Sequence, residues 1–250
     1  MVVVSKSLMV MIQIIPAIDI IEGRCVRLSK GDYERRKVYD AQPLDMAKAY
    51  EDAGVKRLHL VDLDGAKDGG PQNLATLEQI AGHTSLEIEF GGGIKSTDAL
   101  QAAFDCGATY AIAGSIAART PELFEQWLLA YGPERMILGA DLRDGKVSVN
   151  GWKEDMDITI DDLIARFPSV TQIICTDISK DGMLQGPAFE LYKDLQERYP
   201  VIDFTVSGGI SSMADIERLN AEGLRKVIVG KAIYENRITL KEIERWSLSE

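Results

Sequence analysis

The chain of 250 residues is poor in the side chains that bind metals or build cross-links. It has three cysteines, Cys25, Cys106 and Cys175, and two histidines. The cysteines lie far apart, and no Cys-x-x-Cys pair or Cys/His cluster occurs, which argues against a disulfide framework and a zinc site. No metal and no cofactor motif is expected. Positive charge is also scarce. Lys and Arg number 28 against 39 Asp and Glu, a formal net charge of −11. That balance argues against broad binding to nucleic acid or to an anionic membrane surface. No apolar run approaches the length of a membrane span. The opening Met1–Val10 is apolar but lacks the h-region and cleavage site of a signal peptide, so it is taken as an N-terminal extension with no assigned role. These features predict a cytoplasmic protein in a reducing compartment. Nothing forms an interface stripe, so a monomer is expected.

What the chain does have, it has twice. Phe90-Gly91-Gly92-Gly93-Ile94 returns as Val206-Ser207-Gly208-Gly209-Ile210, and Ile112-Ala113-Gly114-Ser115 as Ile228-Val229-Gly230-Lys231. The offset is 116 in both pairs (208 − 92 and 230 − 114), and Gly107 maps onto Gly223 with the same offset. A common offset across a strand, a turn, a helix and a second strand implies two similar halves.

Short apolar runs alternate with amphipathic stretches along the whole chain. The runs Ile12–Ile18, Arg57–Val61, Leu86–Phe90, Tyr110–Ala113, Met136–Ala140, Gln172–Cys175, Asp203–Val206 and Lys226–Val229 read as strands buried on both faces. Amphipathic stretches between them read as helices, with start signals at Ser96-Thr97-Asp98 and at Ser211-Ser212 with Asp215, and glycine stops at Gly54, Gly107 and Gly223. Eight βα units in strict order predict one α/β domain over 1–250, a (β/α)8 TIM barrel. Its half-barrels would run from about 11 to 131 and from 132 to 250. The first and fifth βα loops contain extended excursions, the fifth turning at Asp144-Gly145.

In such barrels the site lies at the C-terminal ends of the strands. Asp19 and Asp141 end the first and fifth strands, at equivalent places in the two halves. Facing carboxylates can divide the work of general acid and general base if their environments separate their proton affinities. Thr176 ends the sixth strand, where it can orient a hydroxyl or carboxylate. Gly92, Gly93, Gly114 and Ser115 form one Gly-rich anion site, and Gly208, Gly209, Gly230 and Lys231 the other. Missing Cβ atoms there let an anion approach backbone N–H groups. Two such sites imply a small-molecule substrate with two phosphates. Trp152 either stacks on an aromatic base of the ligand or packs the fifth loop. Asp62 and Asp64 either line the mouth or cap their loop. Asp177 and Asp181 read as turn formers, and His59 and His83 as structural.

Ile15-Pro16-Ala17-Ile18-Asp19, Val26-Arg27-Leu28, Gly31-Asp32-Tyr33, His59–Ala66, the Gly91–Ile94 turn, Thr176–Gly182 and Val229–Glu235 together resemble the phosphoribosylformimino-aminoimidazole carboxamide ribotide (ProFAR) isomerases of histidine biosynthesis. The resemblance runs from Met11 to Ser249. It implies an Amadori rearrangement of an aminoaldose to an aminoketose without a cofactor, with Asp19 as general base, Asp141 as general acid and Thr176 assisting. Arg27, Lys95 and Trp152 are the substrate-binding residues that go with it. Lys95 departs from the Arg often found in the family, and Lys keeps the charge without the bidentate fork. Two relatives share the barrel. The cyclase subunit of imidazole glycerol phosphate synthase typically has Cys where this chain has Ala17. A bifunctional isomerase also acting on phosphoribosyl anthranilate would differ in loops one, five and six. A non-catalytic phosphate-binding barrel is a third possibility, against which both Asp residues argue.

Overall fold

The computed structural model describes residues 11–29 and 32–249. The extension over 1–10 and Gly31 of the first-loop motif lie outside the described residues. Eight parallel strands close on themselves: β1 (Gln13–Ile21), β2 (Arg57–Asp62), β3 (Glu87–Gly91), β4 (Tyr110–Ala113), β5 (Met136–Arg143), β6 (Gln172–Asp177), β7 (Asp203–Ser207) and β8 (Lys226–Val229). Each pairs with the next, and β8 pairs back onto β1 with Gln13 opposite Lys226. This is a closed (β/α)8 barrel. The predicted strand starts hold within one residue, and β1 and β5 run three residues further at their C-terminal ends than the apolar pattern suggests.

The main outer helices are α1 (Pro43–Asp52), α2 (Leu74–His83), α3 (Thr97–Asp105), α4 (Pro121–Tyr131), α5 (Ile160–Arg166), α6 (Phe189–Arg198), α7 (Met213–Ala221) and α8 (Leu240–Ser247). Capping chemistry sets several starts. Ser96 Oγ accepts from Ala99 N at 3.2 Å, and Thr159, Ser212 and Thr239 make reciprocal capping boxes. Three short helices, Leu63–Asp68, Ser115–Arg119 and Lys231–Tyr234, follow β2, β4 and β8. They are too short to show an apolar period, so the sequence pattern does not announce them.

Side chains alternate along each strand between two cores. Ile14, Ile18 and Ile20 of β1 pack outward against the helices, where Tyr50, Phe124, Trp127 and Tyr192 are buried. Ile15 and Ala17 point inward with Ile137, Ile174 and Ile228. The interior is therefore a packed floor, and the site sits above it.

The repeat is one of backbone as well as sequence. β3, α3 and β4 become β7, α7 and β8 when 116 is added to both ends of each (87–91 to 203–207, 97–105 to 213–221, 110–113 to 226–229). Gly92 and Gly208 have φ of 100° and 94°. Gly114 and Gly230 share an unusual conformation, φ −95° and ψ −88° against φ −106° and ψ −93°. The extended loops match too. Arg24–Ser29 pairs antiparallel with β1 and Lys146–Val149 with β5, placing Asp19 opposite Val26 and Asp141 opposite Ser148.

Candidate active site

The strand ends surround a pocket of about 270 Å³. Every catalytic, phosphate-binding and substrate-binding residue expected from the sequence lines it: Asp19, Asp141 and Thr176, both glycine sites with Ser115 and Lys231, and Arg27, Lys95 and Trp152. Register explains the convergence. Asp141 of β5 is directly opposite Thr176 of β6, which is opposite Ser207 of β7. One layer of inward positions thus holds the polar residues.

The two carboxylates sit in different surroundings. Asp19 faces a cation: Arg27 donates from Nη1 to Asp19 Oδ2 at 2.8 Å, and its Nη2 lies 3.5 Å from Asp181 Oδ1. Burial disfavours the guanidinium charge, and Asp19 and Asp181 more than restore it, so Arg27 stays a cation. Asp141 is met by neutral donors. Trp152 Nε1 donates to Asp141 Oδ2 at 2.9 Å. Burial raises the proton affinity of Asp141, and the bonds from Trp152 and Thr176 and the nearby His59 oppose that rise without cancelling it. Asp181 is likewise raised, first by burial, against Arg27.

Trp152 reaches Asp141 by an unusual backbone. Asn150, Gly151 and Trp152 have φ of 57°, 62° and 67°, three successive left-handed residues. The turn is held by Asn150 N donating to Ser115 Oγ at 3.1 Å and by Arg143 Nη2 donating to Trp152 O at 2.9 Å. The first glycine site is thereby tied to the fifth loop. The second is tied to the sixth, because Lys231 Nζ donates to Gly182 O at 2.8 Å. Lys95 is exposed at the rim.

The glycines of the two turns have a further reason to be glycine. A Cβ on Gly92 would lie 2.1 Å from Asp62 O, and one on Gly209 2.4 Å from Gly186 O. These turns are pressed against the preceding βα loop. Gly230 differs, since its Cβ would lie 2.8 Å from Arg27 Nη1. Arg27 therefore lies over the second glycine site as well as beside Asp19.

Asp62 is fully buried and caps its own loop. It accepts from Gly65 N at 2.8 Å, Gln72 N at 2.6 Å, and Asn73 N and Nδ2 at 2.7 Å each. Asp64 joins loops one and two, accepting from Glu22 N at 2.6 Å and Asn73 Nδ2 at 3.0 Å. Asp177 is a turn former, accepting from Ser179 N at 2.9 Å. The sequence reading of Asp181 as a turn former misses its ion pair with Arg27, because only the folded sixth loop brings the two together. His83 is exposed and bonded to Gln79 O. His59, read from sequence as structural, lines the pocket. Its position two residues before Val61 on the inward face was the available signal.

A closed (β/α)8 barrel with its polar residues gathered at the C-terminal rim defines a barrel of the kind that carries its chemistry on βα loops. The chain belongs to the histidine biosynthesis protein family, whose pattern matches residues 13–239. It is similar to the 1-(5-phosphoribosyl)-5-((5-phosphoribosylamino)methylideneamino)imidazole-4-carboxamide isomerase of Cytophaga hutchinsonii, 51% identical over 239 residues, covering 95% of this chain and 100% of the relative. The protein of the same name from Bacteroides thetaiotaomicron is 50% identical over 235 residues, 93% of this chain and 98% of the relative. That from Flavobacterium johnsoniae is 49% identical over 236 residues, 94% and 98%.

Proposed function

We propose that this chain is the isomerase its relatives are named for, converting ProFAR from aminoaldose to aminoketose by acid–base catalysis. The observation that carries the reading is the asymmetry of the carboxylate pair. Asp141 is desolvated and met by neutral donors, which suits an acid that holds its proton. Asp19 is paired with Arg27, which suits an ionised base.

Asp141 gives its proton to the ribose ring oxygen, and the C1′–O4′ bond breaks. The nitrogen lone pair forms C1′=N, leaving a protonated Schiff base and a free 4′-hydroxyl. Asp19 then removes the C2′ proton. The C2′–H electrons form C1′=C2′ and return the C1′=N pair to nitrogen, giving an enolamine. Proton transfer from the 2′-hydroxyl and to C1′ yields the ketone. The sum is an isomerisation, with no redox partner in the balance. Thr176 orients Asp141. Gly92, Gly93, Gly114 and Ser115 would hold one phosphate, and Gly208, Gly209, Gly230 and Lys231 the other. Arg27, Lys95 and Trp152 would contact the substrate between them.

The same reading takes residues 11–131 and 132–250 as the two half-barrels of one domain. It also takes the protein as a cytoplasmic monomer that binds neither nucleic acid nor membrane. A net charge of −11 supports the last point, and sedimentation as a dimer would refute the monomer.

The test is turnover of ProFAR followed by absorbance, beside Asp19→Asn and Asp141→Asn. Wild-type turnover without ammonia is expected, with losses of about 10²–10⁴-fold in each variant. Wild-type silence with ProFAR would overturn the reading.

A further inference from the structure

The interior of a barrel is a costly place for a carboxylate, and Glu89 is fully buried there, in the middle of β3. His59 of β2 is its partner in register, and His59 Nδ1 lies 2.8 Å from Glu89 Oε1. The second oxygen, Oε2, has no hydrogen-bond partner and faces Arg57 Nη1 at 3.8 Å. Among the other residues at this depth, Tyr110 is opposite Glu89 in register and Thr205 opposite Ile174. Ala17 is beside His59 in register, and Ile174 and Ile228 complete the floor. Apolar residues of similar volume commonly replace a buried ion pair without loss of stability. Stability is therefore a weak reason for the pair.

A better reason is its position. His59 is where the pair meets the pocket, which Asp141 also lines, and a positive charge there would favour the Asp141 carboxylate. Taking the proposed reaction as given, we propose that His59, anchored by Glu89, is a positioning residue for the proton transfer at Asp141: a proton held on the pair steadies the carboxylate that Asp141 becomes after protonating the ring oxygen. The groups facing Asp141 are His59 from β2, Trp152 from the fifth loop, Thr176 from β6 and Asp181 from the sixth loop. The groups facing the pair are Arg57 of β2, Tyr110 of β4 and Asp141 of β5.

His59→Asn keeps a donor near the Nδ1 position and removes the charge. Activity at high pH falls as Asp141 loses its proton, so the alkaline limb of kcat reports on that carboxyl. With the cation gone, the limb is expected to move up by roughly half a unit to one unit. A limb that stays in place, with only melting temperature changed, would show a structural residue and overturn the proposal. The second measurement needs neither turnover nor that variant. The ring nitrogens of His59 are followed by NMR, told from His83 by His83→Gln. Coupling is reciprocal, so Asp141→Asn must lower the titration midpoint of His59. An unchanged midpoint overturns the proposal even if His59→Asn does not fold. Wild-type silence with ProFAR is a separate outcome that sinks the reaction, and the NMR result then decides the coupling alone.

Discussion

Replacing Gly92 and Gly208 by alanine should cost unequal amounts, although the two residues occupy one place in the repeat. Both have positive φ, 100° and 94°, and Ala in left-handed backbone costs about 1–2 kcal/mol at either site. Beyond that the sites differ. At Gly208 the new Cβ would lie 2.9 Å from Asp177 O, with the next contact at 3.5 Å. A movement of a few tenths of an ångström relieves it. At Gly92 the Cβ would lie 2.1 Å from Asp62 O, 2.7 Å from its carbonyl carbon and 2.9 Å from its nitrogen. The main chain must retreat by about an ångström to reach ordinary contact. That main chain belongs to Asp62, which holds four hydrogen bonds of its loop. Overpacking adds about 1–3 kcal/mol, and weakening of the Asp62 bonds about 1 kcal/mol more. The expected losses are about 3–6 kcal/mol for Gly92→Ala and about 1–3 kcal/mol for Gly208→Ala, against a total stability of about 5–15 kcal/mol. Urea unfolding reads both, with an unchanged slope as the condition for comparing midpoints. Equal losses, or a greater loss at Gly208, would refute the argument from close approach.

Other consequences are open to direct measurement. Asp62→Asn presents an amide N–H₂ toward two donors, Gln72 N and Asn73 N in one orientation or Gly65 N and Asn73 Nδ2 in the other, so it should destabilise by about 3 kcal/mol in the same assay. A loss under about 1 kcal/mol would mean that the loop does not depend on the carboxylate. Burial raises the proton affinity of Asp141 in the fold, so its protonated form favours folding and that contribution is lost as pH rises through its folded value. Asp141→Asn should therefore melt above the wild type at about pH 8, with the gap narrowing as pH falls through the folded value of Asp141, where the wild-type carboxyl also becomes neutral. A gap independent of pH would contradict this. Arg27→Lys cannot span Asp19 and Asp181 as the guanidinium fork does. It should lose at least about tenfold in kcat/KM with ProFAR, while melting stays close to the wild type; unchanged kinetics would remove Arg27 from the site.

Architecture was legible in the sequence because it is local and repeated. Eight apolar runs of strand length alternating with amphipathic stretches allow few folds other than a barrel. The 116-residue offset located β3, α3 and β4 against β7, α7 and β8, because glycine at Gly92 and Gly208 is required by backbone conformation and leaves a mark in the sequence. Asp19 and Asp141 stood out because strand ends carry the chemistry of such barrels. The tertiary structure alone decided the pairings across the rim. Arg27 and Asp181 are 154 positions apart (181 − 27), and Trp152 reaches Asp141 only through three left-handed residues. No local pattern encodes such a meeting, since it depends on how two loops settle over one pocket. Pairing of β2 with β3 in register likewise brought His59 and Glu89 together inside the barrel. A charged residue in an apolar strand is visible in sequence, but its partner and its burial are fixed only when the strands align in register.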